Sequence, residues 1–244
     1  MMLQTALTLL ITARFIFIIS TIKKPNAIMK TKKSTLLLLY FALFSSLTVL
    51  ANPKTQGLFE SALKGDVNEI QRIVKSGFDI NTKDKDGNNA LFYAVEANNS
   101  EVIKSLVKHG ININEKNNNG NTPLMIAGTL NKELALNTLL ESGADTEIQH
   151  ITGQTVLHIA TLRGNINSVN ALIAHGANVN VETNNGYTPL KYAALTGSFP
   201  ITNLLLNNGA YDTKSELSLT ALKIAELKKH DKVAELLKSR INPS

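Results

Sequence analysis

Cysteine and tryptophan are both missing from the 244 residues, and aromatic residues make up only 5% of them. Without cysteine there are no disulfides, no thiolate metal ligands and no cysteine nucleophile. A basic surface is missing too, although a formal net charge of +6 first suggests one. Six of the 25 basic residues (Arg14, Lys23, Lys24, Lys30, Lys32 and Lys33) fall within residues 1–51, which hold no acid, and beyond them 19 bases face 19 acids. Nucleic-acid recognition through bulk charge loses its basis, and no nucleic-acid partner is expected. Also absent are the Gly-x-Ser-x-Gly elbow, a phosphate-binding loop and the Rossmann glycine pattern, so no cofactor and no enzymatic activity are expected.

What the chain does have begins with two apolar stretches, Leu3–Ile22, interrupted by Arg14, and Leu36–Leu50. The second has the layout of a secretory signal. Met29 is followed by Lys30, Lys32 and Lys33, then by the apolar run, then by Val49-Leu-Ala51 with small residues at the −3 and −1 places of a peptidase site. The run is about fifteen residues, short of the ~20 that a permanent membrane helix needs. Cleavage after Ala51 and a periplasmic or secreted location are therefore expected, an uncleaved anchor being the alternative. A second apolar stretch ahead of a complete signal is redundant, so residues 1–28 read as an extension upstream of a true start at Met29. The other reading is a helix pair whose basic loop, Lys23–Lys33, stays cytoplasmic. Residues 52–56 then form a short linker and 240–244 a tail.

Between these ends the sequence is periodic. Gly77, Gly110, Gly143, Gly176 and Gly209 lie 33 residues apart, as do Gly87, Gly120, Gly153 and Gly186. The intervening text also repeats: Asn89-Ala-Leu-Phe-Tyr-Ala, Thr122-Pro-Leu-Met-Ile-Ala, Thr155-Val-Leu-His-Ile-Ala, Thr188-Pro-Leu-Lys-Tyr-Ala and Thr220-Ala-Leu-Lys-Ile-Ala. Thr can cap the first helix, and Pro suits the first turn, where no N–H is needed. Leu124 and Ala127, three apart, face the stack. The second helix buries Val102, Ile103, Leu106 and Val107 at helical spacing and ends at Gly110. A unit of this size cannot bury its apolar face alone, so only stacking completes a core.

These residues resemble the ankyrin repeat, whose mark is Thr-Pro-Leu-His-x-Ala in a 33-residue unit. Five copies carry the resemblance, and a leading sixth, around Leu58, Ser61 and Gly65, lacks the hairpin half. It covers residues 57–239 and implies an all-α solenoid of about six helix-turn-helix units with short β-hairpin loops. Ala90 and Val156 replace Pro, Asn89 replaces the capping Thr, and Asn98 and Asn131 replace a mid-unit Gly. The copies at residues 87–98 and 120–131 are therefore expected to be the less regular ones.

The histidines give no metal site. His158 fills the His place of the motif, where it ties adjacent turns, while His109 and His175 lie two repeats apart, about 20 Å at 8–10 Å per packed helix. Asp84-Lys-Asp-Gly-Asn resembles part of a calcium loop, but Thr82 and Tyr93 stand where its first and twelfth acids belong. Proteins of this resemblance usually bind other proteins on a concave face of loop tips and first-helix residues. Carried over by position, that face includes Leu130, Ile151, Leu162, Arg163, Tyr187 and Leu195, an apolar group flanked by an arginine, which is the composition of a binding hot spot. The alternative for these side chains is that they fold down into ordinary core. The resemblance thus implies a monomeric, non-catalytic scaffold for a protein partner, without membrane contact once the signal is removed. A secreted effector acting on host proteins is the competing reading.

Overall fold

A computed structural model describes residues 53–212 and 219–241. The segment 1–28, the signal peptide with its cleavage site, and residues 242–244 lie outside the described residues. So does the loop at 213–218.

The 33-residue period becomes a two-layer stack of helix pairs. The first helices are α1 (Pro53–Lys64), α3 (Ala90–Glu96), α5 (Pro123–Thr129), α7 (Val156–Leu162), α9 (Pro189–Thr196) and α11 (Ala221–Lys228). Their partners are α2 (Val67–Lys75), α4 (Ser100–Lys108), α6 (Glu133–Glu141), α8 (Ile166–Ala174), α10 (Phe199–Asn207) and α12 (Asp231–Ile241). Each first helix packs on the first helices before and after it, and each second helix likewise, so the core runs continuously along the stack. Leu58, Leu91, Leu124, Leu157 and Leu190 fill one column of it, all buried. The alanines Ala94, Ala127, Ala160 and Ala193 are buried too, and their small side chains let neighbouring pairs approach. Val102, Ile103 and Leu106 are buried as expected, whereas Val107 is only half-buried against the core. Helix α1 starts at Pro53, so most of the expected linker is already helical.

The first helices are capped as their sequences suggest. Thr122 accepts from the Met125 N–H at 3.3 Å, Thr188 from Lys191 at 3.3 Å and Thr220 from Lys223 at 3.2 Å. Asn89 does the same work by accepting from the Leu91 N–H at 3.1 Å. The expected irregularity at 87–98 and 120–131 is not seen. Helices α3 and α5 have seven residues each, as does α7. Asn98 and Asn131 adopt the left-handed backbone, at φ 54° and 52°, that Gly164 takes in the next unit at 73°. Asparagine tolerates that region, and the Asn98 side chain also accepts the Ala135 N–H at 2.9 Å, fixing the turn to the following unit.

The expected hairpin loops close as tight turns, and no strand occurs among the described residues. Side chains take the place of a backbone ladder. At one place per unit, Asn81, Asn114, Glu147 and Asn180 accept the backbone N–H of Asn112, Asp145, Asn178 and Tyr211, at 2.7 to 3.1 Å. With the N–H groups occupied in this way, the arms run extended without pairing strand to strand.

One core column contains a polar exception. Val102, Ala135 and Ile201 are buried at equivalent places, and the fourth member is Ser168, whose buried hydroxyl has no hydrogen-bond partner among the described residues. An unpaired buried hydroxyl is worth removing. Ser168→Ala should therefore raise the urea midpoint, by about 1 kcal/mol of stability. An unchanged or lower midpoint would mean that the hydroxyl is satisfied.

Candidate functional site

The loop tips 84–88, 117–121, 150–154 and 183–187 and the ends of the first helices form one face of the stack. Each tip is closed by the same backbone bond, from Asp84, Asn117, His150 and Thr183 N–H to the carbonyl four residues on, at 2.8 to 3.0 Å. In the first tip Asp84 spends its carboxylate on local donors: the N–H groups of Asp86 and Asn88, the Asn88 amide and the Tyr93 hydroxyl. No oxygen pattern for a cation results, and no group of three or more metal-binding side chains occurs among the described residues.

Neighbouring tips are zipped by asparagine. The Asn118 N–H donates to the Asp86 carbonyl at 2.9 Å and its amide to Lys85 at 2.9 Å. Asn184 repeats both bonds one step further along, onto Thr152 at 3.1 Å and Ile151 at 2.9 Å. The equivalent place between them is Ile151, which has no amide to offer. There His150 bridges the tips instead, through Nε2 on the Asn119 carbonyl at 2.7 Å. Its Nδ1 accepts the Thr152 N–H at 3.3 Å, which makes Nε2 the protonated nitrogen. Ile151 is left 78% exposed.

The six residues expected on this face divide into two sets. Leu130 at 47%, Ile151 at 78% and Leu162 at 41% are exposed apolar side chains on consecutive units, and Arg163 beside Leu162 is exposed as well. Tyr187 and Leu195 are half-buried and packed against the core. Tyr187 leans on Tyr192, with ring centroids 5.4 Å apart, and Tyr192 meets the edge of His158 at 5.7 Å.

Sequence reasoning missed the floor of this face. Tyr93, Ile126, Ile159 and Tyr192 are half-buried on α3, α5, α7 and α9, one per unit. They occupy the fifth place of each repeated hexapeptide, and its unbroken apolar character was the available signal. Tyr93 stacks on Phe59 at 4.9 Å, and burial together with the Asp84 carboxylate raises its phenol above the ordinary range. Glu96, at the rim of α3, is raised above the usual carboxylate value by the protein packed around it and by Asp84, against the pull of Lys132.

Three units fill the His place of the motif with a long polar side chain; Lys223 in the last is exposed, and in the other two the place is structural. His158 is fully buried; its Nδ1 accepts the Thr155 N–H at 3.1 Å and its Nε2 is 3.1 Å from both the Val181 and Tyr187 carbonyls. The ring therefore joins its own turn to the next tip in the neutral form, and burial lowers its pKa to about 4. In the next unit Lys191 is buried in the same place and donates to the Gly186 carbonyl at 2.8 Å, with desolvation lowering its pKa. His109 and His175 each bond a carbonyl of their own helix, Ser105 and Ala171.

The period, the short capped first helices and the tip-to-tip zipper agree with comparison to known families. A family model described as ankyrin repeats in three copies matches residues 58–150 and 131–216. The chain belongs to the ankyrin-repeat family. No curated protein matches it at a significant level. As in the family, where the repeat presents a face to protein partners, this ankyrin-repeat chain has the build of a protein-interaction scaffold. Among its described residues no helix is long and apolar enough to cross a membrane.

Proposed function

We propose that this ankyrin-repeat protein is a non-catalytic scaffold, exported to the periplasm, that holds a protein partner on the face made by tips and first helices. The observation that carries the reading is Ile151. At the equivalent places Asn118 and Asn184 tie the tips together, and Ile151 gives up those bonds while exposing an aliphatic side chain. His150 takes over the tip contact, so the exposed aliphatic side chain at 151 serves no structural role, and such a departure marks a functional position. Leu130, Leu162 and Arg163 extend the same surface, and aliphatic contacts beside an arginine suit a partner segment with apolar side chains and an acid. Export is supported by the Lys30–Ala51 signal pattern and by an otherwise charge-balanced chain.

The test combines location and capture. The native protein from fractionated cells should begin at Asn52 and be recovered from the periplasm; an uncleaved, membrane-held chain would refute export. Chemical crosslinking in the same fraction should give a discrete adduct with the natural chain. An Ile151→Glu, Leu162→Glu double variant should lose that adduct while its thermal melt stays within a few degrees. An adduct that survives the double substitution would remove this face from the function.

A further inference from the structure

The opposite side of the stack carries an anomaly of its own. Second helices face solvent, and most here carry charge: α2 has Glu69, Arg72 and Lys75, α4 has Glu101, Lys104 and Lys108, α6 has Glu133 and Glu141, and α12 is charged throughout. Helices α8 (Ile-Asn-Ser-Val-Asn-Ala-Leu-Ile-Ala) and α10 (Phe-Pro-Ile-Thr-Asn-Leu-Leu-Leu-Asn) carry no charged residue at all. A solvent face without charge on two consecutive helices is unusual for a surface amphipathic helix. Their N-terminal residues, Ile166 and Phe199, are exposed large apolar side chains at equivalent places.

Between these helices runs a groove of about 440 Å³, lined by Ile166, Pro200 and Leu204 and by asparagines. Two of those asparagines are committed at its ends: Asn167 donates to Glu133 at 3.2 Å, and Asn207 accepts from Arg240 at 2.6 Å. The other two, Asn170 and Asn203, stand 33 residues apart on facing helices. Their amides make no hydrogen bond among the described residues. The groove thus offers two free amides, one repeat step apart, over an apolar bed.

Size and charge decide between occupants. Two nine-residue helices side by side give a face roughly 14 Å by 20 Å, on the order of 300 Å². Each partner in a stable dimer buries about 800 Å², so a second copy of the chain is too large a demand. With no charge in the lining, a phosphate or carboxylate ligand finds no counter-ion. A peptide backbone does find partners, because a primary amide both donates and accepts. In polyproline-II conformation three residues advance about 9.3 Å, matching the 8–10 Å between packed helices, and every backbone carbonyl is free. A β-strand, at about 6.7 Å per two residues, falls out of step.

We propose that the groove between α8 and α10 binds a short, uncharged polypeptide segment in polyproline-II conformation, with carbonyls three residues apart on the Asn170 and Asn203 amides and its apolar side chains on Ile166, Pro200 and Leu204. This site lies on helices other than those of the tip face and does not depend on the function proposed for that face.

The test is a titration of the purified, ¹⁵N-labelled protein with a capped nonapeptide of Pro-Leu-Pro repeats, followed by NMR. The side-chain amide signals of Asn170 and Asn203 should shift together. An Asn170→Glu, Asn203→Glu variant should weaken the peptide by at least about tenfold, equivalent to about 1.4 kcal/mol, with an unchanged melt. Should that variant fold poorly, Asn170→Ala with Asn203→Ala serves the same comparison. Glu101→Gln, on α4 and outside both surfaces, should leave the affinity as it was. No shift at millimolar peptide, or binding that survives both asparagine variants or falls with Glu101→Gln, would overturn the proposal. A chito-oligosaccharide that moves these amides where the peptide does not would also overturn it, in favour of a glycan site.

Discussion

Lowering the pH from 7 to about 4 should cost the protein about 3 kcal/mol through His158 alone. The ring is fully buried, and its Nδ1 already receives the Thr155 N–H, so a second ring proton would have to displace that donor and place a charge out of reach of solvent. Burial places the folded pKa at about 4, against 6.5 for a free imidazole. Between those values the unfolded chain binds a proton that the folded chain does not. The stabilisation is therefore complete above pH 6.5 and lost progressively as the pH falls toward 4. Paired carboxylates act in a lower window: Glu60, Glu115 and Glu226 are held below 4.5 by lysine partners, and Glu69 by Arg72, so their contribution fades only in stronger acid. Glu96 works in the opposite sense, because its raised value favours the folded state as its carboxyl is protonated. Urea denaturation at pH 7, 6, 5 and 4.5, compared with His158→Gln, isolates the histidine. The variant should be less stable at pH 7, having lost the tie to the Val181 and Tyr187 carbonyls, yet show a flatter profile. An equal slope in both proteins would mean that the acid sensitivity lies elsewhere.

The stack was legible in the sequence because its determinants are local and repeat. Glycine at 33-residue spacing, Thr or Asn at the cap and paired apolar stripes each act within a unit or between neighbours. The loops were less legible. Whether an arm forms a strand depends on what its N–H groups meet one unit away, and Asn81, Asn114 and Asn180 reach them with side chains. The site divided along similar lines. A repeat position says which face a residue belongs to, but not how far a long side chain folds over. Leu130, Ile151 and Leu162 stay out, while Tyr187 finds Tyr192 and settles against it. The apolar floor at Tyr93, Ile126, Ile159 and Tyr192 and the uncharged sequences of α8 and α10 were readable and were passed over. Both appear only when units are compared place by place, rather than each against the family motif.

The other large effect concerns how closely the tips approach. Gly153→Ala should cost about 3 kcal/mol or more, and Gly143→Ala only about 1 to 2. Both glycines have left-handed backbones, at φ 79° and 86°, so the conformational penalty of adding a side chain is shared. Their surroundings differ. A Cβ at Gly143 meets nothing within 4 Å, whereas at Gly153 it would lie 2.5 Å from the Asn184 backbone nitrogen and 2.5 Å from its amide oxygen. Relief would require the two tips to separate, breaking the bonds that Asn184 makes to Ile151 and Thr152. Gly87 is in the same position, with the Asn118 nitrogen at 2.8 Å, and should behave like Gly153. Gly120 is the informative exception: its three nearest neighbours are all side-chain atoms, of Ile151 at 3.2 Å and of His150 at 3.4 and 3.7 Å. Where the asparagine zipper is missing, an added methyl can push a side chain aside, so Gly120→Ala should resemble Gly143→Ala. Four alanine variants in one denaturation series would therefore sort into two pairs. Equal losses at all four positions would show that backbone strain alone sets the cost and that the zipper contributes nothing to holding the tips together.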